Sequence, residues 1–213
     1  MKRTLLGSEQ NYEASDDTWF IYTIEGQKLT TEELYNINRL DSVKEKFDML
    51  DSINDNIYFL NVANDILSAN LMLVDTQMAL IISNMLENFY KGKADKISDL
   101  AKLCYKDNVC CLQKTYVELY YKYKIKEFLT SIAIGMSCLK RWDGKHNPRD
   151  SYIPVKEDGG VLCYHIYNRN EFRDYLFDNM RVDMSSQSKH HFTIYDVDGK
   201  QFLKLNLQIS IVK

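Results

Sequence analysis

Two prolines and eight glycines in 213 residues leave this chain few points at which a helix must stop. Both prolines, Pro148 and Pro154, and five of the eight glycines fall at or after Gly135. A proline inside a helix removes a backbone hydrogen bond and clashes with the turn before it, and glycine serves where the backbone must turn left-handed. The distribution therefore permits long helices before residue 135 and predicts strands and turns after it. The expected fold class is α+β: a mainly helical N-terminal two-thirds with short strands, followed by a C-terminal β-β-α-β-β module. The boundary is placed near residues 136–150, dividing a largely helical region 1–140 from an α+β region 141–213.

Within the first region, Thr18 to Ile24 (TWFIYTI) is rich in aromatic and β-branched residues and reads as a strand ended by Glu25-Gly26. Thr30 and Glu33 have capping-box spacing, which predicts a helix from Thr31. Val43, Phe47 and Leu50 at i, i+4 and i+7 predict a second, and Ile57 to Val62 a short strand. From Ile66 to Phe89 apolar residues are too dense for one exposed stripe, so this stretch is expected to be one long, central, buried helical segment ended by Gly92. Shorter and longer helices are expected at Ile97 to Tyr105 and Leu112 to Ile134, the latter closing at Gly135.

The last region predicts strands at Tyr152 to Lys156 and Val161 to Tyr167, and a helix from about Asn170 to Asn179. Two more strands follow, near Phe192 to Tyr195 and at Phe202 to Val212, turning around Asp198-Gly199. Leu203, Leu205, Leu207, Ile209 and Ile211 alternate with Lys204, Asn206, Gln208 and Ser210, which predicts one buried face and one polar face available to a ligand.

Composition narrows the function classes. Residues 1–120 carry 12 Lys/Arg against 19 Asp/Glu, and residues 121–213 carry 15 against 11, within a net charge of −3. An acidic total argues against a protein that coats nucleic acid indiscriminately, while the basic surplus of the second part fits either a local nucleic-acid face or an ordinary asymmetry. Five cysteines without C-x-x-C spacing fit neither a disulfide framework nor a zinc knuckle, and read as reduced thiols. There is no signal-peptide core and no apolar run near the ~18 residues that span a membrane, so the expected location is the cytoplasm. G-x-S-x-G, P-loop and Rossmann fingerprints are absent from the sequence.

The segment SYIPVKEDGGVLCYHIYNRNEFRDYLFDN and the following SSQSKHHFTIYDVDGKQFLKLNLQI, within residues 151–209, resemble the C-terminal end of the HpaII-type restriction endonucleases. Gly7 to Ile24, Ala69 to Leu86 and Tyr123 to Gly144 are similar to family segments in the same order. The resemblance implies sequence-specific, Mg²⁺-dependent cleavage of double-stranded DNA, a cognate DNA methyltransferase as genetic partner and a possible homodimer. It also implies a further N-terminal half holding most of the nuclease centre, so that this chain begins in mid-protein. It is then a type II restriction endonuclease of HpaII type or its C-terminal fragment, or alternatively a noncatalytic DNA-binding or interaction remnant of one.

The same resemblance aligns Met1-Lys2-Arg3-Thr4-Leu5-Leu6-Gly7-Ser8 with the family's I-K-S-x-L-G-S strand, making Lys2 the candidate catalytic lysine; the alternative is a solvated terminal residue. Metal-dependent hydrolysis of this type needs clustered carboxylates for Mg²⁺ and a lysine to steady the phosphate. Asp143-Gly-Lys145 and Asp198-Gly-Lys200 match D-x-K literally, but Asp-Gly is ordinary turn chemistry and they read as turns. DNA contacts are expected from Lys140, Arg141, Lys145 and Arg149 around Trp142, and from Lys189, His190 and His191 after a serine-rich turn. The alternative for each group is a solvated loop, with Trp142 as a boundary anchor. Arg169 is a further candidate contact, set against a role with Asn168 and Asn170 in opening a helix. His165 reads as structural. The Tyr120-Tyr121-Lys122-Tyr123-Lys124 run is expected to be core plus a solvated lysine edge rather than a stacking platform.

Overall fold

The computed structural model describes residues 4–6, 17–26, 28–53, 56–145, 169–184 and 193–211. The chain runs β1 (Thr4–Leu6), β2 (Trp19–Glu25), α1 (Thr31–Arg39), α2 (Val43–Ser52), β3 (Asn56–Val62), α3 (Asp65–Val74) and α4 (Met78–Tyr90). It continues with α5 (Ile97–Asp107), α6 (Val117–Ala133), α7 (Arg169–Asn179), β4 (Met180–Val182), β5 (Tyr195–Val197), β6 (Lys200–Asn206) and β7 (Ile209–Ile211). The fold is α+β. The strands expected at Tyr152 to Lys156 and Val161 to Tyr167 lie outside the described residues, whereas β4, too short to show an alternation, had no counterpart in the sequence pattern.

Both sheets are antiparallel, one ordered β3-β2-β6-β5 and the other β1-β7-β4. The alternating segment expected as one strand is two: it breaks at Leu207-Gln208, so that β6 serves the first sheet and β7 the second. The break is bonded on both sides. The Leu207 N–H donates to Thr18 O at 3.0 Å, and Gln208 O accepts from the Asp183 N–H at 2.9 Å. Asn206 Nδ2 donates to Thr18 Oγ1 at 2.9 Å, and the Tyr90 hydroxyl reaches Asn206 O at 3.1 Å. Each sheet combines strands from both sides of the change in pattern near residue 140.

Helices cover the first sheet. Phe20, Tyr22, Leu203 and Leu205 are fully or almost fully buried against a core that includes Ile81, Met85 and Leu86 of α4. The Tyr22 hydroxyl finds Ser83 O at 2.8 Å, giving the one polar atom of that ring a partner. Helix α1 starts where the capping box predicts: Thr30 Oγ1 accepts from the Glu33 N–H, and the Glu33 carboxylate accepts from the Thr30 N–H at 2.7 Å. Ser42 caps α2 and Asn64 caps α3 by one-way side-chain bonds, accepting from the Glu45 and Leu67 N–H groups.

The apolar stretch from Ile66 to Phe89 is not one helix. It folds into α3 and α4, bent by 108° at Asp75-Thr76-Gln77. Asp75 Oδ1 accepts from the Gln77 N–H at 2.8 Å, a local bond that competes with continued helix, and from the Tyr120 hydroxyl at 3.0 Å. Its other oxygen lies 2.7 Å from Lys124 Nζ. Among the described residues no single helix is long and apolar enough to cross a membrane; only the bent α3–α4 pair taken together passes that test. Helix α6 begins five residues later than expected, because Asn108, left-handed at φ 45°, holds Leu112 with both its amide groups and keeps that stretch in a loop.

Two more amide side chains bind backbone from the opposite end of the chain. Gln201 accepts from the Leu29 N–H at 3.0 Å and donates to Leu29 O at 2.9 Å. Asn38 does the same for Ile194, at 2.9 and 3.1 Å. Each replaces a rung of a ladder that no strand supplies.

Two outcomes follow for stability. Truncating Leu205 to Ala at the centre of the first sheet is expected to cost about 3 kcal/mol in urea denaturation. For Asp75, burial pushes the carboxyl up, but hydrogen bonds from Lys124, the Gln77 N–H and the Tyr120 hydroxyl, with the Lys124 charge, outweigh it and hold it below the usual carboxylate value. A lowered folded-state value stabilises above the unfolded value and is lost as pH falls through the folded one. The stability deficit of Asp75→Asn should therefore be full at neutral pH and shrink to nothing below the ordinary carboxylate range, as followed by melting temperature against pH.

Candidate nucleic-acid interface

Helix α6 stops at Ala133, and Gly135 at φ 128° turns the chain out of it. The loop from Met136 to Lys145 is then organised by one side chain on another helix. Asn70 of α3 is 1% exposed. Its Nδ2 donates to Ser137 O at 2.8 Å and to Lys140 O at 2.9 Å, and its Oδ1 accepts from the Trp142 N–H at 2.8 Å. Both amide hydrogens and the carbonyl are thus spent on loop backbone. Trp142 packs half-buried against the core and donates its indole N–H to Lys145 O at 3.2 Å. Asp143 Oδ1 accepts from the Lys145 N–H at 3.0 Å, so the Asp143-Gly144-Lys145 match is a turn, as its chemistry predicted.

This frame holds Lys140, Arg141 and Lys145 out to solvent. Lys145 Nζ lies 3.8 Å from the Asp143 carboxylate with its side chain 85% exposed, a pairing that neutralises little. Leu139 is 72% exposed beside them. Three cations on a fixed backbone suit the neutralisation of phosphates.

Arg169 stands on a different element, as the first residue of α7, with its guanidinium 3.5 Å from Glu127 Oε2 of α6. Glu127 also pairs with Arg173, and Lys126 with Asp174. Arg173 lies over the Tyr123 ring at 4.9 Å. Arg169 is 54% exposed at the rim of this cluster, whereas Arg173 is 13% exposed within it. Lys2, Arg149, Lys189, His190 and His191 lie outside the described residues, as does His165.

The aromatic run at residues 120–124 is largely core. Tyr121 is fully buried with its hydroxyl accepting from the Cys110 N–H at 2.9 Å, and Tyr120 and Lys124 are spent on Asp75. Lys122 is solvated as expected, whereas Lys124 is ion-paired and Tyr123 is 50% exposed rather than core. The Asp198-Gly199 match is a two-residue hairpin turn with φ 51° and 80°. The polar face of the last strands is only in part open to a ligand: Lys204 and Gln208 are half-buried, whereas Asn206 is 4% and Ser210 2% exposed, bonded to Thr18 and Asp183. An alternation pattern does not encode those partners. Among the described residues no three Asp, Glu, His or Cys side chains converge as a metal site. The described part of the chain therefore does not fit an Mg²⁺ centre, and what its residues can contribute is binding and orientation.

Asn70 is a site residue that motif and charge patterns do not mark. Its sequence signal is weak, since Gln77, Asn84 and Asn88 lie in the same apolar-rich Ile66 to Phe89 stretch; what marks Asn70 is that a buried polar group must have partners.

The fold is an α+β scaffold that braces a cationic loop against its helical core. The chain belongs to the HpaII restriction endonuclease family, whose family model matches residues 1–211. It is 36% identical over 210 residues to the type II restriction enzyme HpaII of Haemophilus parainfluenzae, covering 98% of this chain and 56% of that enzyme. The chain thus spans about half the length of the curated relative it matches. No solved structure matches it.

The α6–α7 cluster can be checked directly. Glu127→Gln leaves the mostly buried Arg173 without its counter-charge and should lower stability by about 2 kcal/mol, between the values for exposed and fully buried pairs, as measured by chemical denaturation.

Proposed function

We propose that this chain serves a cytoplasmic type II restriction endonuclease of HpaII type, in the Mg²⁺-dependent, sequence-specific cleavage of double-stranded DNA. The observation that carries the reading is the family match along residues 1–211, with a relative named as a type II restriction enzyme. Supporting it is the braced loop, whose Lys140, Arg141 and Lys145 face solvent with little counter-charge among the described residues. In this reading those three, with Arg149 and Arg169, neutralise phosphates and set the register on the duplex, while Lys189, His190 and His191 offer donors to base edges. Lys2 steadies the scissile phosphate. A cognate methyltransferase protects host DNA, and two copies about a two-fold axis match a palindrome.

Gel shifts across short palindromic duplexes test recognition, and plasmid incubation with Mg²⁺ tests cleavage. A preferred palindrome is expected, and nicked or linear product would exclude a noncatalytic role for the chain. Preferred binding without any product would leave a noncatalytic recognition module, and equal binding to every duplex would remove the sequence-specific reading altogether. Replacing Lys140, Arg141 and Lys145 together by Ala should weaken binding by similar factors for all sequences. It should also flatten the slope of log K against log salt by about 0.9 for each phosphate that is no longer neutralised.

A further inference from the structure

Asn70 makes three hydrogen bonds to the loop, the first of them to Ser137, 67 residues further along the chain. They fall on Ser137, Lys140 and Trp142, so they bracket Leu139 and Arg141. Trp142 extends the clamp by one bond to Lys145 O, tying the last cation of the loop to the same frame. The loop itself supplies little else: Ser137 Oγ accepts from the Leu139 N–H at 3.4 Å, and Asp143 closes its own turn. A leucine held 72% exposed adds nothing to the core, yet an apolar side chain beside cations is what meets a thymine methyl in a groove.

We infer that Asn70, with Trp142, is a positioning residue for DNA recognition: it sets the one loop conformation in which Leu139, Lys140, Arg141 and Lys145 meet the duplex together. The inference rests on the reading that this loop contacts DNA. It assigns a recognition role to a buried residue that itself touches no ligand. The three cations are flexible and exposed, and would still find phosphates from a loosened loop. Base-edge contacts need fixed geometry and would not survive. Losing the clamp should therefore erode discrimination between sequences and leave the electrostatic part of binding in place.

The test uses the full chain and short palindromic duplexes, with a scrambled duplex of equal length as the non-specific probe. For Asn70→Ser the ratio of preferred to scrambled affinity is expected to fall about tenfold, with the salt slope unchanged. Trp142→Phe, which removes the indole donor and part of the ring that packs on the core, should move the ratio the same way by a smaller factor, and decides the matter if Asn70→Ser does not fold. An unchanged ratio in the folded variants overturns the positioning role. So does an equal loss on both duplexes with a flatter salt slope, because Asn70 would then govern only how many cations reach the backbone. The triple alanine variant separates the two levels. If it weakens binding while the clamp variants do nothing, DNA contact stands and positioning falls; if it leaves every duplex bound as before, the loop is not the interface and both fall.

Discussion

The two-residue break at Leu207-Gln208 is the constraint on which the rest of the structure depends. A strand carried straight through it would extend one sheet and leave the other without its centre. Instead, Leu207 and Gln208 place their backbone groups on Thr18 and Asp183, and the next residue opens β7 between β1 and β4. Buried backbone groups must be paired, so a break inside the core is possible only because both neighbours present partners there. Thr18 begins the turn into β2, Asp183 follows β4, and Tyr90 ends α4. One short segment therefore fixes how both sheets and the central helix meet.

Around that junction, side-chain amides take over work that strands do elsewhere. Gln201, Asn38, Asn108 and Asn70 each bond to backbone with their N–H and their carbonyl groups at once. An amide matches the donor and acceptor of a peptide, so it satisfies an irregular segment without requiring a further strand. The gain is geometric as well as energetic. The loop bearing Lys140, Arg141 and Lys145 is irregular, yet it is referred to a helix through Asn70 rather than to solvent.

Much of the local structure was legible in the residues. The Thr30–Glu33 box, the strand at Trp19–Glu25, the helices α1, α2 and α5, and the Asp198-Gly199 hairpin all follow short-range rules of capping, periodicity and turn conformation. Two of the misreadings share one cause. The bend between α3 and α4 depends on Asp75 being met by Tyr120 and Lys124, some 45 residues away, and the burial of Asn206 and Ser210 depends on Thr18 and Asp183. Periodicity reports which side of an element is apolar. It carries no information on which distant residue covers the polar side.

For the candidate site the division is similar. Sequence alone determined the family and the cluster of cations around Trp142, because a relationship at 36% identity and a density of charge are properties of residue order. Tertiary structure alone decided that Lys140, Arg141 and Lys145 stay exposed on a braced loop, that Arg169 sits against Glu127, and that Asn70 does the bracing. The physical reason is that exposure and pairing are set by what folds against a side chain, and those partners lie tens of residues away.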